Sequence, residues 1–403
     1  MKKKKKWVLR RHGVIKFLLR PWLTLVSRLQ YHVKLPRFKE QKGRQFLILM
    51  NHQTPFDQFF VTATFKMPVY FVGTEDIFSL GFLSRALKWL VAPIPIKKQT
   101  ADMAAVMNCL RVAREGGTIA MAPEGNRTYS GRTEYMNPAV APLARKLGLP
   151  VALYRIEGGY GIQPRWADTR RRGKMRAYVS EVIEPEEIKN LTDDELVERI
   201  QRGLYVDDAA EMGVYRHKKK AEFLERAIYV CPDCGLSSFH SHGDLVRCER
   251  CGKTWRYTER MTFEGVGFDS PFARVADWYD YQNRYISELD GLPVTEKPLY
   301  TDTVKLSEVI VYERKCPIAK TATASLYGDR IEVSYGEDSL LSLPFSEVSA
   351  ISALGRKKIN VYVHKQVYQL AGDERFCGLK YVNFYYKHKN ILKGEHHGSF
   401  LGL

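Results

Sequence analysis

The sequence predicts an α/β domain, with a mostly parallel sheet flanked by helices, followed by a compact cysteine-rich unit and a β-rich C-terminal domain. Short apolar stretches alternate with helical patterns up to about residue 215. Four of the seven cysteines form two close pairs between residues 231 and 251. From residue 299 onward the pattern changes to short alternating stretches typical of strands. With 403 residues and 45% hydrophobic residues, the chain can build two or three domains with sizeable cores.

These changes of pattern divide the chain into five segments. We expect a basic N-terminal segment, the α/β domain, a helix with the cysteine-rich unit, a linker that contains one helix, and the β-rich domain. Their predicted boundaries are residues 1–40, 41–215, 216–258, 259–298 and 299–403, respectively.

The positive charge of the chain is concentrated in residues 1–40. Thirteen Lys and Arg against one Glu account there for twelve of the eighteen net positive charges. Apolar side chains recur at helical spacing in the same segment, at Ile15, Leu18, Leu19, Trp22, Val26 and Leu29. Cations beside such a face predict helices that lie in the interface of an anionic bilayer. The alternative is a solvated basic tail followed by a helix that docks on the core.

The same segment bears on the location of the protein. Its apolar run is interrupted by charges such as Arg10, Lys16 and Arg20, so we expect neither a signal peptide nor a spanning helix of ~20 apolar residues. The few cysteines disfavour a secreted disulfide scaffold. We therefore expect a peripheral protein on the cytoplasmic face of a membrane.

Individual elements follow from local pattern. In the α/β domain we predict buried strands at residues 45–51, 68–72, 118–122 and 150–156, and helices at 101–115, 138–147 and 193–202. A further charged helix, at 214–226, is predicted to lead into the first cysteine pair. An aromatic helix is predicted at 272–289. In the β-rich domain we predict strands at 304–312, 324–327, 330–335, 359–364 and 367–370, and a last helix at 373–387.

His52 and Asp57 form the first candidate site. His52 follows the strand at 45–51 directly, and Pro55 suits the start of a helix with Asp57 in its first turn. A carboxylate folded back onto the imidazole would hold one ring nitrogen as a donor and leave the other as a general base. By itself this spacing is also typical of a structural histidine.

Two further strand ends carry polar residues that fit an anionic ligand. The strand at 118–122 leads into Pro123–Thr128, where Gly125 allows close backbone approach and the Arg127 guanidinium fits phosphate. Another hydrophobic stretch ends in Lys97 and Lys98. Because open α/β sheets bind ligands at the carboxyl ends of their strands, these groups together predict deprotonation of an alcohol held by its phosphate. The alternative is three ordinary turns with solvated charges.

These motifs resemble those of the glycerolipid acyltransferases of the lysophosphatidic acid acyltransferase (PlsC) type, over about residues 40–215. The Asn-His-x4-Asp motif is met by Asn51, His52 and Asp57. The Pro-Glu-Gly-Thr-Arg-Ser motif stands as Pro123–Thr128, with Asn126 and Thr128 in place of Thr and Ser. Lys97 and Lys98 stand where the family has an Arg, and residues 149–152 match its apolar motif with Pro.

The resemblance implies acyl transfer from acyl-CoA or acyl carrier protein to a hydroxyl of a lysophospholipid or glycerol phosphate, most directly 1-acyl-glycerol-3-phosphate. It implies His52 as the base and Asp57 as the group that orients it. Substrate binding would fall to Lys98, Glu124, Gly125, Asn126 and Arg127. Because no covalent acyl-enzyme is required, Cys109 is expected to be a buried helix residue.

The cysteine pairs predict a structural zinc site. Cys231, Cys234, Cys248 and Cys251 form two C-x2-C knuckles, each followed by glycine, and four thiolates at this spacing suit tetrahedral Zn²⁺. The unit resembles a zinc ribbon, whereas a redox dithiol is the poorer interpretation because there is no thioredoxin pattern. His240 and His242 are expected in exposed loops.

Two basic clusters leave alternatives open. Cations between residues 247 and 260, with Trp255 and Tyr257, could form a nucleic-acid patch or a solvated hairpin face with packed aromatics. Arg165, Arg170, Arg171, Arg172, Lys174 and Arg176 form either a surface for an acidic ligand or an exposed loop. The β-rich domain faintly resembles pleckstrin-homology-like barrels.

The predicted function is therefore an acyltransferase at an anionic membrane surface. The rival from another class is a non-catalytic membrane-bound adaptor that binds acidic partners through the zinc ribbon and the β-rich domain. A nucleic-acid module ranks third, because outside residues 1–40 the chain is only mildly basic.

Overall fold

The computed structural model of the chain describes residues 6–41, 43–79, 81–97, 102–210, 213–292, 295–395 and 400. The chain divides into two compact units. The first contains the residues up to Pro164 and Arg172–Tyr215, and the second contains Arg165–Arg171 and the residues from Arg216 onward.

The first unit alternates strands and helices. Its strands are β1 (Val33–Lys34), β2 (Leu47–Met50), β3 (Val69–Thr74), β4 (Ile94–Ile96), β5 (Thr118–Met121), β6 (Val151–Glu157) and β7 (Met175–Ile183). Its helices are α1 (Arg10–Tyr31), α2 (Asp57–Thr64), α3 (Phe82–Leu90), α4 (Met103–Arg114), α5 (Val140–Leu147), α6 (Gly159–Ile162), α7 (Pro185–Asn190) and α8 (Asp193–Leu204), with a 3₁₀ turn at Glu75–Ser79.

The seven strands of this unit form one sheet in the order β1-β7-β6-β2-β5-β3-β4. All neighbouring pairs are parallel except β6 and β7, which are antiparallel. The predicted α/β class with a mostly parallel sheet is therefore confirmed. Strand β2 lies between β5 and β6, so the turn that follows Met50 has a strand end on each side.

The central strands are apolar because helices cover them. Leu47 and Leu49 of β2 are fully buried and share one core with side chains of α4, α5, α7 and α8. Cys109 lies in that core on α4, as expected for a structural residue. The strands and helices therefore build most of this core, and residues 51–56 and 122–128, at the carboxyl ends of β2 and β5, are not part of it.

Helix α1 is inverted relative to an ordinary surface helix. It buries polar side chains, among them His12, Lys16 and Ser27, and leaves Leu18 and Trp22 67% and 58% exposed. The buried side is anchored by polar bonds, such as that from the Lys16 ammonium to the Thr62 carbonyl. The predicted apolar face is therefore largely at the surface. Leu18, Leu19, Trp22 and Leu29 are exposed, and Ile15 and Val26 are half-buried.

The second unit is rich in antiparallel strands. Its strands are β8 (Val230–Cys231), β9 (Gly235–Leu236), β10 (Phe239–His242), β11 (Leu245–Cys248), β12 (Thr254–Tyr257), β13 (Phe263–Gly265), β14 (Tyr300–Ile310), β15 (Arg314–Leu326), β16 (Arg330–Tyr335), β17 (Ser339–Pro344), β18 (Val348–Leu354), β19 (Lys358–Val363) and β20 (Gln366–Gly372). Its helices are α9 (Val275–Ser287) and α10 (Gly378–Leu392), with a 3₁₀ turn at Leu224–Arg226.

Three sheets organise this unit. Strands β8 and β9 pair alone, β10–β13 form a four-stranded sheet, and the remaining strands form a seven-stranded sheet in the order β17-β16-β15-β14-β20-β19-β18. Helix α10 packs on β18. The predicted β-rich C-terminal domain is confirmed.

An aromatic cluster fills the core beside the cysteine-rich sheet. Trp255 and Tyr257 of β12 are fully buried, and the Trp255 ring lies 4.9 Å from that of Trp278 on α9. Buried rings cannot stack on exposed bases, so the structure favours a hairpin face with packed aromatics over a stacking surface.

The helix predicted at 214–226 is wrong. The segment forms turns and ends in one 3₁₀ turn because its backbone groups bond elsewhere. Ala221 donates its N–H to the carbonyl of Gly243 at 2.9 Å, and Phe223 donates to the Ser241 hydroxyl at 2.7 Å with φ of +69°. These bonds replace the helical ladder.

The arginine cluster at 165–176 is not a uniform exposed loop. Arg165 is buried and donates to the carbonyls of Ala353 and Gly355. Arg171 is buried with its guanidinium 5.0 Å from the Trp166 ring and 5.1 Å from the Tyr257 ring. Both cations therefore hold the structure of the second unit.

Candidate active site at the ends of β2 and β5

The turn from β2 into α2 brings His52 and Asp57 together. Strand β2 ends at Met50, and α2 begins at Asp57, which places this carboxylate in the first helical turn as predicted. There the helix dipole favours a negative charge. The Nδ1 atom of His52 lies 2.7 Å from Oδ2 of Asp57, and the His52 side chain is 25% exposed.

Asp57 is buried yet well compensated. Its carboxylate accepts hydrogen bonds from the backbone N–H of Gln53 at 2.7 Å, from that of Thr54 at 3.0 Å, and from the Thr54 hydroxyl at 2.7 Å. These donors satisfy both oxygens of the buried carboxylate. Because a carboxylate only accepts hydrogen bonds, its contact with Nδ1 of His52 places the proton of the neutral ring on Nδ1 and the lone pair on Nε2.

Side-chain amides anchor the β2 end to its neighbours. Asn51 donates to the carbonyl of Ile156 and accepts from its N–H, both at 2.8 Å. Gln53 accepts from the N–H of Tyr160 at 3.0 Å. The backbone on both sides of His52 is therefore fixed to β6 and α6, which limits the positions that the imidazole can take.

The loop after β5 is hydrogen-bonded to the same turn. The N–H of Thr128 donates to the carbonyl of His52 at 3.1 Å, and the N–H of His52 donates to Oε1 of Glu124 at 3.0 Å. Gly125, with φ of +71°, makes the turn between them in a region that favours glycine. The turn after β2 and the loop after β5, which carry the two predicted motifs, are thus hydrogen-bonded to each other.

Glu124 points into the protein. Its second oxygen, Oε2, accepts from the N–H of Glu134 at 2.9 Å, so both carboxyl oxygens bind backbone. Burial raises the pKa of Glu124 to about 8, and this outweighs the two N–H donors, which lower it. Glu134 was not a predicted site residue, and no sequence signal marks it, because its hydrogen bond to Glu124 is made by its backbone.

Three of the four remaining predicted binding residues lie in the loop next to this turn. Gly125 is exposed, and Asn126 and Arg127 are half-buried in the loop that Thr128 ties to His52. Lys98 lies outside the described residues. The preceding Lys97 is exposed after β4, which is three strand positions from β2, or about 14 Å across the sheet.

The four cysteines of the two knuckles meet in the second unit. Cys231, Cys234, Cys248 and Cys251 bring their Sγ atoms within 4.8 Å of one another, which is a geometry that could hold a metal ion. The Sγ atoms of Cys231 and Cys251 are 3.7 Å apart, and those of Cys234 and Cys248 are 3.6 Å apart. His240 and His242 are exposed and outside this group.

Comparison with known proteins bears on the first unit. Residues 30–156 match the family described as Acyltransferase, over about a third of the chain. The match contains His52, Asp57, Glu124 and Arg127, so the resemblance carried by the two loops is confirmed for this part of the chain. Comparison with curated protein sequences yields no match.

Two solved structures are similar to parts of the chain. One is the crystal structure of the 1-acyl-sn-glycerophosphate (LPA) acyltransferase PlsC from Thermotoga maritima, at 20% identity and a TM-score of 0.40, covering 50% of this chain and 82% of that one. The other is the solution structure of the N-terminal PH domain of human ARAP2, at 12% identity and a TM-score of 0.19, covering 23% of this chain and 81% of that one.

Proposed function

We propose that this chain, which carries an acyltransferase-family domain over residues 30–156, acylates a phosphate-bearing glycerolipid. The donor is a fatty acyl thioester, acyl-CoA or acyl carrier protein. The acceptor is a hydroxyl of a lysophospholipid or glycerol phosphate, most directly 1-acyl-glycerol-3-phosphate. The observation that carries the proposal is the 2.7 Å bond from His52 Nδ1 to a buried Asp57, in a turn hydrogen-bonded to the Arg127 loop.

The chemistry follows from the tautomer that Asp57 imposes. Nε2 of His52 takes the proton of the acceptor hydroxyl while its oxygen attacks the thioester carbonyl carbon. The tetrahedral intermediate then collapses, the C–S bond breaks, and the departing thiolate takes the proton back from the imidazolium. Asp57 stabilises that imidazolium during the step, and the products are an ester and a free thiol.

The acceptor is held by its phosphate. Arg127 offers two parallel N–H donors to the phosphate oxygens, and the resemblance implies that Lys98 adds a point charge. Glu124 fixes the loop by accepting hydrogen bonds from the backbone N–H groups of His52 and Glu134. Gly125 presents its backbone, and Asn126 its side-chain amide, to the acceptor.

The cysteine cluster fits a structural Zn²⁺. A tetrahedral Zn–S length of ~2.3 Å requires sulfur atoms about 3.8 Å apart, and the two pairs separated by 3.7 and 3.6 Å agree with that value. Cys231, Cys234, Cys248 and Cys251 would hold the ion, which would fix the two knuckles of the ribbon and leave no open coordination position.

The proposed site of action is peripheral, on the cytoplasmic face of an anionic membrane, and the exposed face of α1 supports the contact with the membrane. Leu18 and Trp22 are at the surface among the many cations of residues 1–40. Among the described residues, no helix combines the length and apolar character needed to span a bilayer. Binding at the interface suits an acceptor and a product that both partition into lipid.

A substrate screen tests the proposal. The purified full-length chain is mixed with acyl-CoA or acyl carrier protein donors and a set of lysophospholipids and glycerol phosphate, and the products are read by mass spectrometry. We expect transfer to a phosphate-bearing acceptor that His52→Ala abolishes and His240→Ala, an exposed histidine of the second unit, leaves unchanged. Vesicle binding without any acyl transfer would instead favour the adaptor function.

A further inference from the structure

Helix α3 exposes large apolar side chains. Phe82, Leu83 and Trp89 are 78%, 55% and 56% exposed, whereas the one fully buried residue of this nine-residue helix is Ser84, which donates to the Ile77 carbonyl. An ordinary surface helix turns its apolar side inward and its polar side outward. Helix α3 therefore exposes part of its apolar side, as α1 does, although α3 lies outside the predicted N-terminal segment of residues 1–40.

The exposed face of α1 continues into α3. The guanidinium of Arg11 lies 5.1 Å from the centre of the Trp89 ring, and this contact joins the first turn of α1 to the last turn of α3. Arg11 stands on the same helical stripe as Val14, Leu18 and Trp22, which are three, seven and eleven residues further on. Trp89 thus lies at one end of the apolar stripe of α1.

The charges around the exposed apolar side chains of α3 indicate what covers them. Helix α3 contains Arg85 and Lys88, both exposed, and no acidic residue, and Arg11 adds a third cation beside Trp89. A second copy of the chain would bring like charges together across the face, whereas an anionic bilayer offers opposite charge at the surface and apolar volume below it. Aromatic side chains flanked by cations are typical of that interface.

We propose that α3 is a second membrane-inserting element, which enters an anionic bilayer through Phe82, Leu83 and Trp89 beside the apolar stripe of α1. This inference rests on the membrane part of the proposed function and adds a surface to it. Two inserted elements hold the orientation of the first unit on the bilayer more firmly than α1 alone, because each adds buried apolar surface that resists tilting.

Vesicle partitioning of the full-length chain tests the proposal. The probes are phosphatidylcholine vesicles with and without phosphatidylglycerol, and the variants are F82S/L83S on α3, L18S/L29S on α1, and Tyr205→Ser as a matched exposed control. We expect F82S/L83S to lower partitioning into the anionic vesicles by about tenfold or more, because two large apolar side chains are lost from the buried face. Tyr205→Ser should stay near the wild-type value.

Tryptophan quenching locates α3 directly. Lipids brominated in the acyl chain should quench part of the wild-type fluorescence, and Trp89→Phe should remove a measurable share of that quenching while keeping an aromatic ring. Far-UV circular dichroism and thermal melting of each variant show that it is folded, as expected for substitutions of exposed side chains.

The alternative outcomes separate the claims. If L18S/L29S lowers partitioning and F82S/L83S does not, the α3 proposal is overturned and binding through α1 stands. If neither variant changes partitioning, the membrane part of the proposed function fails with it. If F82S/L83S instead converts a dimer to a monomer in light scattering at unchanged partitioning, the face binds a second copy and the proposal is overturned. Acyl transfer is tested separately by His52→Ala.

Discussion

Replacing Glu124 with alanine should destabilise the first unit strongly. The substitution leaves the backbone N–H groups of His52 and Glu134 buried without their present acceptor. An unsatisfied buried donor costs about 1–3 kcal/mol, so the two together predict a loss of about 2–6 kcal/mol in the free energy of unfolding. This is a large share of the ~5–15 kcal/mol that stabilises a typical domain. Glu124→Gln keeps one acceptor oxygen and turns an NH₂ group toward the other N–H, so about 1–3 kcal/mol is expected.

The pH dependence of the free energy of unfolding separates the hydrogen bonds of Glu124 from the effect of its raised pKa. The pKa of Glu124 is raised from 4.5 to about 8 by burial, so between these values the folded chain keeps a proton that the unfolded chain has lost. The resulting stabilisation is complete below pH 4.5 and is lost as the pH rises through 8, with a slope of up to ~1.4 kcal/mol per pH unit. Glutamine does not titrate, so the stability of Glu124→Gln lacks this dependence on pH.

Urea unfolding of wild type and Glu124→Gln between pH 5 and 9 provides the assay, with circular dichroism as the signal. We expect the stability advantage of the wild type to shrink as the pH approaches 8 and then to level off. A constant difference across this range would show that Glu124 ionises normally. Wild-type stability of Glu124→Ala would show that the carboxyl group does not hold the two loops.

Three other substitutions or treatments give distinct outcomes. His52→Ala should lower kcat for acyl transfer by about 10²–10⁴ with an unchanged circular dichroism spectrum, since it removes the base alone; near-wild-type turnover would exclude this role. The purified protein should contain about one zinc per chain by atomic emission, and Cys248→Ser, at a buried position, should lose the metal and lower the melting temperature of the second unit; a metal-free wild type of equal stability would refute the site. Lys16→Met should stabilise the first unit by about 1–3 kcal/mol at pH 6, because burial lowers the pKa of Lys16 to about 7, and the gain should shrink toward pH 10, where the unfolded lysine also loses its proton. A gain that does not change between pH 6 and 10 in urea unfolding would contradict the lowered pKa.

Local patterns in the sequence were enough to predict the turn that carries His52. The apolar strand before it, Pro55 and the position of Asp57 are all local features, and the helix begins at Asp57. The order of the sheet is a long-range property, yet the general rule that ligands bind at the carboxyl ends of parallel strands placed the Arg127 loop beside the histidine. The bond from Thr128 to His52 is consistent with that expectation.

The role of Glu124 could not be predicted in the same way. A motif residue beside an arginine suggests contact with substrate, but the direction of its side chain depends on backbone donors 72 and 10 residues away in the sequence. The failed helix at 214–226 has the same cause, since its charged composition fits a helix while Ser241 and Gly243 offer competing tertiary bonds.

Periodicity predicted which residues share the apolar face of α1, but not whether that face is buried against the protein or exposed at its surface. A repeat of three and four residues shows that side chains share a face, and it carries no information on whether protein, lipid or water covers that face. In the structure α1 packs on the protein through its polar side, because Lys16 and Ser27 are buried opposite the apolar stripe. Helix α3 also separates its apolar from its polar side chains, and its pattern is equally silent on what covers the apolar face.

The rate of acyl transfer from a fatty acyl thioester to phosphate-bearing and phosphate-free acceptors tests the central claim most directly, when measured for wild type, His52→Ala and Arg127→Ala. We predict that His52→Ala lowers kcat for transfer to every acceptor by about 10²–10⁴, and that Arg127→Ala raises KM for the phosphate-bearing acceptor much more than for the phosphate-free one. Full transfer by His52→Ala, or equal effects of Arg127→Ala on both acceptors, would contradict the account.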